Sequence, residues 1–265
     1  MQNRIDQTFE RLRARHQSGF IAYIGAGDPH LAATASLALA LEKAGVDILE
    51  LGVPFSDPVA DGVVNQLAAQ RGLASGTTLH GVLDCVRGIR KQSQLPIVLY
   101  TYMNPVYRFG FKEFLAEAEA AGVDGVLLLD LPPDEDFGEF DVQSNVRRIR
   151  LIAPTTPPAR VAELARRAEG FLYYVSREGV TGEQSTIADT LAAGVASIRA
   201  VTQLPVAVGF GISNPEQARE VAGQADAVVV GSAIVKRIAE YGACADLAER
   251  VADFVRPMAA ATKEG

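Results

Sequence analysis

Short apolar runs rich in β-branched residues, each stopped by Gly, Pro or Asp, take turns with longer stretches in which Ala and Leu recur at helical spacing. The pattern predicts eight strands, at 20–25, 46–52, 96–101, 123–129, 148–153, 170–175, 205–209 and 225–230. Helical patterns lie between them, for example at 31–44, 79–92, 112–121 and 215–222, and an extra helix stands in front at 4–16. Three joints share one rhythm: Ala44-Gly45-Val46-Asp47, Ala121-Gly122-Val123-Asp124 and, more loosely, Gly223-Gln224-Ala225-Asp226. Glycine suits a helix C-cap, and the strand that follows must be apolar on both faces, as parallel strands covered by helices are. Eight such units need roughly 250 residues. A chain of 265 residues with no linker-like break therefore predicts one closed (β/α)8 TIM barrel, a single domain over 1–265 with its barrel core at about 19–238. An open doubly wound sheet is the alternative, but no strand is followed by the dinucleotide glycine fingerprint. The least regular stretch, 132–145, is acidic and poorly periodic.

Charge and cysteine usage exclude several function classes. A net charge of -7 opposes a nucleic-acid or anionic-membrane surface, which needs clustered Lys and Arg. The densest basic patch, Arg147, Arg148 and Arg150, is too short for that role. Two cysteines, Cys85 and Cys244, read as small buried hydrophobes in helices rather than a disulfide framework, which fits a reducing cytoplasm. Residues 1–17 are charged and polar, and no apolar run approaches ~18 residues, so neither export nor membrane insertion is expected.

A barrel carries its chemistry at the carboxyl ends of its strands. The five lysines, Lys43, Lys91, Lys112, Lys236 and Lys263, fall in helical stretches or the tail, which leaves a Schiff-base aldolase without a nucleophile. His16, His30 and His80 sit near helix ends, away from further ligands, so no metal is expected. Carboxylates and tyrosines remain: Asp28, Glu50, Asp57, Asp61, Tyr100, Tyr102, Asp130 and Tyr173.

Glu50 is the most informative of these, because Ile48-Leu49-Glu50-Leu51-Gly52 sets a carboxyl inside an otherwise apolar strand. Alternation puts Val46, Ile48 and Glu50 on one face, so Glu50 points into the barrel mouth if that face is inward. Desolvation would raise its pKa and suit it to exchange protons near neutrality. The bland alternative is a structural carboxyl paired with a buried donor. Asp61 lies in a Pro- and Gly-rich loop, where capping a helix over 64–74 competes with catalysis. Asp28 and Asp57 each precede proline, and Asp28 reads as an N-cap. Asp130 reads as a turn former or a supporting carboxylate.

Glycine-rich segments follow strands six to eight: Gly179-Val180-Thr181-Gly182, Gly209-Phe210-Gly211-Ile212-Ser213 and Gly231-Ser232-Ala233-Ile234. Their backbone N–H groups and a helix N-terminus can hold a phosphate without Lys or Arg. Tyr23, Tyr100, Tyr102, Tyr173 and Phe210 either wall a flat aromatic substrate or pack the rim. The residues alone thus describe a barrel enzyme doing carboxylate acid-base chemistry on a phosphorylated substrate.

The run Glu50-Leu51-Gly52-Val53-Pro54-Phe55-Ser56-Asp57-Pro58-Val59-Ala60-Asp61-Gly62 closely resembles the signature of the tryptophan synthase alpha chain family. Ala26-Gly27-Asp28-Pro29, Tyr102-Met103-Asn104-Pro105, Ala153-Pro154-Thr155-Thr156, Ser176-Arg177-Glu178-Gly179-Val180-Thr181-Gly182 and the two glycine segments at 209–213 and 231–235 follow in family order. The resemblance covers about 20–238. It implies a cytoplasmic lyase of tryptophan biosynthesis that cleaves indole-3-glycerol phosphate by a retro-aldol step to indole and glyceraldehyde 3-phosphate. It implies no cofactor on this chain. The indole passes to a pyridoxal-phosphate-bearing beta chain in an alpha-beta-beta-alpha assembly.

By position, Glu50 and Asp61 match the family's catalytic carboxylates. Tyr23, Tyr100, Tyr102, Tyr173, Thr181 and Phe210 are expected to line the substrate, and Gly182, Gly211, Gly231 and Ser232 its phosphate. Segments 54–58 and 104–107 resemble the partner-facing loops, and docking that orders 54–58 is expected to fix Asp61 as well. Two positions depart from the family: Gly25 stands where Thr is common and Val63 where Pro is usual, which removes a hydroxyl and predicts a looser exit from the Asp61 loop. A stand-alone lyase releasing free indole, a non-catalytic barrel subunit, and a sugar-phosphate isomerase or aldolase are the other readings.

Overall fold

The structure, a computed structural model, describes residues 2–132, 143–175, 184–209 and 211–264. Helix α1 (Arg4–Ala14) leads into β1 (Gly19–Gly25), α2 (Leu31–Lys43) and β2 (Ile48–Gly52). Two helices, α3 (Val63–Ala74) and α4 (Leu79–Arg90), precede β3 (Ile97–Thr101), and two more, α5 (Met103–Phe109) and α6 (Phe111–Ala121), precede β4 (Gly125–Leu128). Then come β5 (Arg147–Ile152), α7 (Pro158–Arg167), β6 (Leu172–Val175), α8 (Gln184–Arg199), β7 (Val206–Gly209), α9 (Pro215–Ala222) and β8 (Ala227–Val230). Helices α10 (Ser232–Tyr241) and α11 (Leu247–Ala261) finish the chain. The strands pair in parallel and in sequence order, and β8 closes on β1, so the predicted (β/α)8 barrel is present.

Strand alternation sorts the apolar residues into two layers. Ile21, Ile48, Val98, Leu127, Ile149, Ala207, Ala227 and Val229 fill the barrel, while Leu49, Leu51, Leu99, Val208 and Val228 pack under the helices. Ile5, Phe9 and Leu12, on one stripe of α1, join the inner layer with Phe171 and plug the barrel floor. Asn3 starts α1 by accepting from the Ile5 N–H, and its amide reaches the carbonyls of Asp124 and Asn145.

The repeated Gly-Val-Asp rhythm has a specific task at that floor. The Asp47 carboxylate accepts the Phe20 N–H (2.8 Å), Asp124 that of Ile97 (2.8 Å) and Asp226 that of Val206 (2.9 Å). Each Asp returns its own backbone N–H to the carbonyl of the same partner residue. In each case a backbone donor in the first two residues of an odd-numbered strand is satisfied by a charge-assisted bond. Glu169 makes the same two-way clamp with Arg148. The four clamps join β1 to β2, β3 to β4, β5 to β6, and β7 to β8. Cations balance them: Arg4 and Arg90 on Asp124, Lys263 and Arg11 on Asp47, Arg199 on Asp226.

These clamps explain why β2, β4 and β8 begin two residues later than predicted: the residues before them serve the joint, not the ladder. Val46 accordingly packs in the outer layer, and the inward row of β2 is Ile48 and Glu50. Cys85 is half-buried on α4, but Cys244 is exposed in the turn between α10 and α11, so it is not the buried hydrophobe predicted. No helix among the described residues is long and apolar enough to cross a membrane. Most of the irregular stretch at 132–145 lies outside the described residues.

Candidate active site

Glu50 stands on the inward face of β2, between Tyr23 of β1 and Val98 of β3 in register. It is fully buried, and neither carboxyl oxygen has a hydrogen-bond partner among the described residues. The structural alternative required a buried donor, and none is present among the described residues. Desolvation alone pushes its pKa up to about 8, because an ionised carboxylate here would forfeit water and gain nothing in exchange. Glu50 is therefore a neutral acid at pH 7.

Asp61 is held differently. Tyr100 donates to Oδ1 at 3.0 Å and Tyr102 to Oδ2 at 2.7 Å. Burial raises its pKa, while the hydroxyls of Tyr102 and Tyr100 and the Asn65 amide pull the other way. It does not cap a helix: Gly62 occupies the N-cap of α3 and Val63 its first turn, with no side-chain cap. Val63 therefore begins a regular helix in proline's place. Two carboxyl groups in one mouth, one desolvated without a donor among the described residues and one held by two phenol hydroxyls, stand in environments different enough to take separate acid and anion roles.

The tyrosines form a connected wall. The ring of Tyr100 meets Tyr23 edge to face at 4.9 Å, and Tyr102 packs on Phe55 at 5.3 Å. A methyl on Gly52 would sit 2.3 Å from the Tyr23 oxygen, and one on Gly209 would sit 2.6 Å from that of Tyr173. Both glycines thus make room for phenols that reach into the barrel, a role for Gly209 distinct from the phosphate loop predicted. Burial first, then the neighbouring carboxylates, hold Tyr23, Tyr100 and Tyr173 well above the ordinary phenol range. A cavity of about 580 Å³ opens here, lined by Ala60, Tyr100, Leu129, Leu151, Thr155 and Tyr173.

Asp28 contradicts its predicted role. It is buried and takes a two-pronged bond from Arg71 of α3, at 2.7 and 2.8 Å, and His30 caps α2 instead. Asp57 is exposed and accepts from the Ser56 hydroxyl. Asp130 accepts from the Met103 N–H at 2.7 Å and so caps α5, a supporting role as expected. Asn65 was not foreseen: it sits in the first turn of α3 beside Asp61, with its Oδ1 buried and unpartnered.

At the same end of the barrel, Gly211 adopts φ +68 with open space around it, and Gly231 precedes α10. The Gly231 carbonyl takes the N–H groups of Ile234 and Val235. Those of Ser232 and Ala233, in the first turn, have no acceptor within the helix and are available to an anion. Thr181, Gly182 and Phe210 lie outside the described residues. A larger cleft, about 850 Å³, lies at the opposite end beside α1, but its Arg4, Arg11, Asp47 and Asp124 are already paired with one another.

Comparison with known proteins places the whole chain beside one family. The family profile described as tryptophan synthase alpha chain matches residues 9–263. The tryptophan synthase alpha chain of Opitutus terrae is 49% identical over 264 residues, covering 98% of this chain and 99% of its own. That of Geobacter sulfurreducens is 49% identical over 255 residues, covering 96% of each. Among solved structures, tryptophan synthase subunit alpha from Legionella pneumophila str. Paris superposes with a TM-score of 0.91 at 39% identity, covering 99% of both chains. Mycobacterium tuberculosis tryptophan synthase gives 0.89 at 32%, covering 100% of both.

Proposed function

Since this chain belongs to the tryptophan synthase alpha chain family, we propose that it carries out the alpha reaction by acid-base chemistry between Glu50 and Asp61, cleaving indole-3-glycerol phosphate to indole and glyceraldehyde 3-phosphate. The observation that carries this reading is the fully buried, unpartnered Glu50 carboxyl at the barrel mouth. Its proton goes to C3 of the indole, which leaves positive charge on the ring. Asp61 accepts the indole N–H and balances that charge. The Glu50 carboxylate then removes the proton of the hydroxyl next to C3, the bond from C3 to the side chain breaks, and its electrons return to the ring as the aldehyde forms. The ring is the electron sink, so the step uses no cofactor on this chain. Pyridoxal phosphate belongs to the beta chain that takes the indole.

The pH dependence follows from the two environments. Glu50 must start protonated, so kcat/KM is expected to fall as pH rises through about 8. Asp61 must be ionised, which sets the acid limb. The measurement is indole release from indole-3-glycerol phosphate across pH, with and without a beta chain. An alkaline limb that persists unchanged in Glu50→Gln would remove Glu50 from the acid role, and absence of indole release under either condition would reject the reaction.

The phosphate belongs at the first turn of α10, beside Gly211. A Cβ at Gly231 would stand 3.4 Å from the Tyr23 Cβ, so Gly231→Val adds branched methyls between Tyr23 and the start of α10 and is expected to weaken glycerol phosphate binding tenfold or more (roughly, for loss of a helix-terminus anion site), far more than it weakens free indole binding. Calorimetric titration of each ligand checks this. Equal losses for both would assign the effect to general distortion of the mouth.

Around Asp61 the rim is apolar and open: Val59 is 82% exposed, Val63 69% and Tyr107 68%. Phe55 lies beside them on Tyr102. This rim fits docking of the beta chain through 54–58 and 104–107 in an alpha-beta-beta-alpha assembly.

A further inference from the structure

Asp61 lies on a loop, yet both of its oxygens are held by one strand and its end. Tyr100 and Tyr102 are two residues apart on β3 and just beyond it, and strand alternation sends both rings to the same side. Their hydroxyls take one oxygen each, and the Tyr102 oxygen also accepts the Ala60 N–H at 3.0 Å, so the loop backbone is tied beside the carboxylate. Tyr102 is the N-cap residue of α5, and the Asp130 carboxylate fixes the helix start by accepting the Met103 N–H. Tyr100 is braced edge-on by Tyr23.

We propose that Tyr100 is a positioning residue for the reaction: with Tyr102 it fixes Asp61 to the barrel wall, so the isolated chain presents a set second carboxylate before any partner docks. The proposal rests on the reading of Asp61 given above. A carboxylate has about four acceptor positions, so two tyrosine bonds and the Asn65 amide leave capacity for an indole N–H. Among the described residues, Asp61 is bonded by Tyr100 and Tyr102 of β3 and its end and by Asn65 of α3, and interacts electrostatically with Tyr23 of β1 and Tyr173 of β6, the two tyrosines that Glu50 of β2 also influences. The tyrosines are neutral and Glu50 is protonated below about 8. No Arg or Lys among the described residues forms an ion pair with Asp61, which leaves the hydroxyls and the amide to stabilise its charge against burial.

Tyr100→Phe removes the hydroxyl and keeps the ring against Tyr23. In the isolated full-length chain, kcat for indole release is expected to fall about 10- to 100-fold, with KM changed by less than about threefold. The acid limb of the kcat profile is expected to move up by about one pH unit, because the anion loses a donor. A second readout is independent of turnover: ¹³C NMR of labelled aspartate, with the Asp61 signal identified by its absence in Asp61→Asn, should show the same upward move of its titration. A lower kcat with neither pH midpoint moved would make Tyr100 a wall of the pocket and overturn the proposal, as would wild-type kinetics. Asp61→Asn separates the two ideas: wild-type turnover in that variant rejects the reading of Asp61 itself, whereas its inactivity beside a normal Tyr100→Phe rejects only the positioning role.

Discussion

Replacing Glu50 by Gln is expected to lower kcat by about 10²- to 10⁴-fold, the range for loss of a general acid-base group, with substrate binding nearly intact because the amide fills the same volume. The same variant should gain stability at neutral and higher pH. The wild-type carboxyl titrates at about 8 when folded against 4.5 ordinarily. Between those values the folded chain holds a proton that the unfolded chain releases, so wild-type stability declines with rising pH by about 1.4 kcal/mol per unit, and is level outside that interval. The Gln variant lacks this slope. Stopped assays on purified protein and urea melts at pH 5 and pH 8 measure the two effects together. A variant that turned over normally would show that Glu50 is not the acid, and one whose stability tracked the wild type at both pH values would show that it is not desolvated.

Asp61→Asn is the second large effect, with an expected loss of about 10²- to 10³-fold in kcat, comparable to removing one well-placed group that stabilises developing charge. The amide keeps the shape but cannot balance a cationic ring. It also sets an NH2 group against one of two tyrosine hydroxyls that now donate at 3.0 and 2.7 Å, so one hydroxyl must turn and accept. The loss should appear in kcat with KM little changed. An effect confined to KM would make Asp61 a binding group alone.

Much of this was legible in the sequence because it is periodic. Every predicted strand ends within one residue of its observed carboxyl end, six of the eight at or just before Gly, Pro or Asp, and Glu50 was conspicuous as a charge in an apolar run. What escaped depends on partners distant along the chain. Asp28 before Pro29 reads locally as a cap, but its partner is Arg71, forty-three positions on. Tyr100 and Tyr102 read as walls for a flat ligand, since nothing nearby announces that their hydroxyls meet Asp61. Glu169 does the work of the three joint aspartates without their Val-Asp or Ala-Asp signature, because the longer side chain reaches Arg148 from a different approach. Asn65 carried no signal at all, being an ordinary polar residue in the first turn of a helix.

The clamps at the barrel floor carry a consequence for how the ring is assembled. Because each joins an odd strand to the even strand that follows it, the barrel is four two-stranded quarters, sewn together internally by carboxylates and to each other by backbone ladders. Covalent continuity then counts differently from joint to joint. Opening the chain between β2 and β3, β4 and β5, or β6 and β7 would leave every carboxylate and its target in one fragment, whereas opening it inside a quarter would divide a clamp between two. The chain's midpoint, between β4 and β5, is a seam of the first kind, so complementary halves would each keep two complete quarters and meet through ladder bonds such as that from the Arg147 N–H to the Asp124 carbonyl.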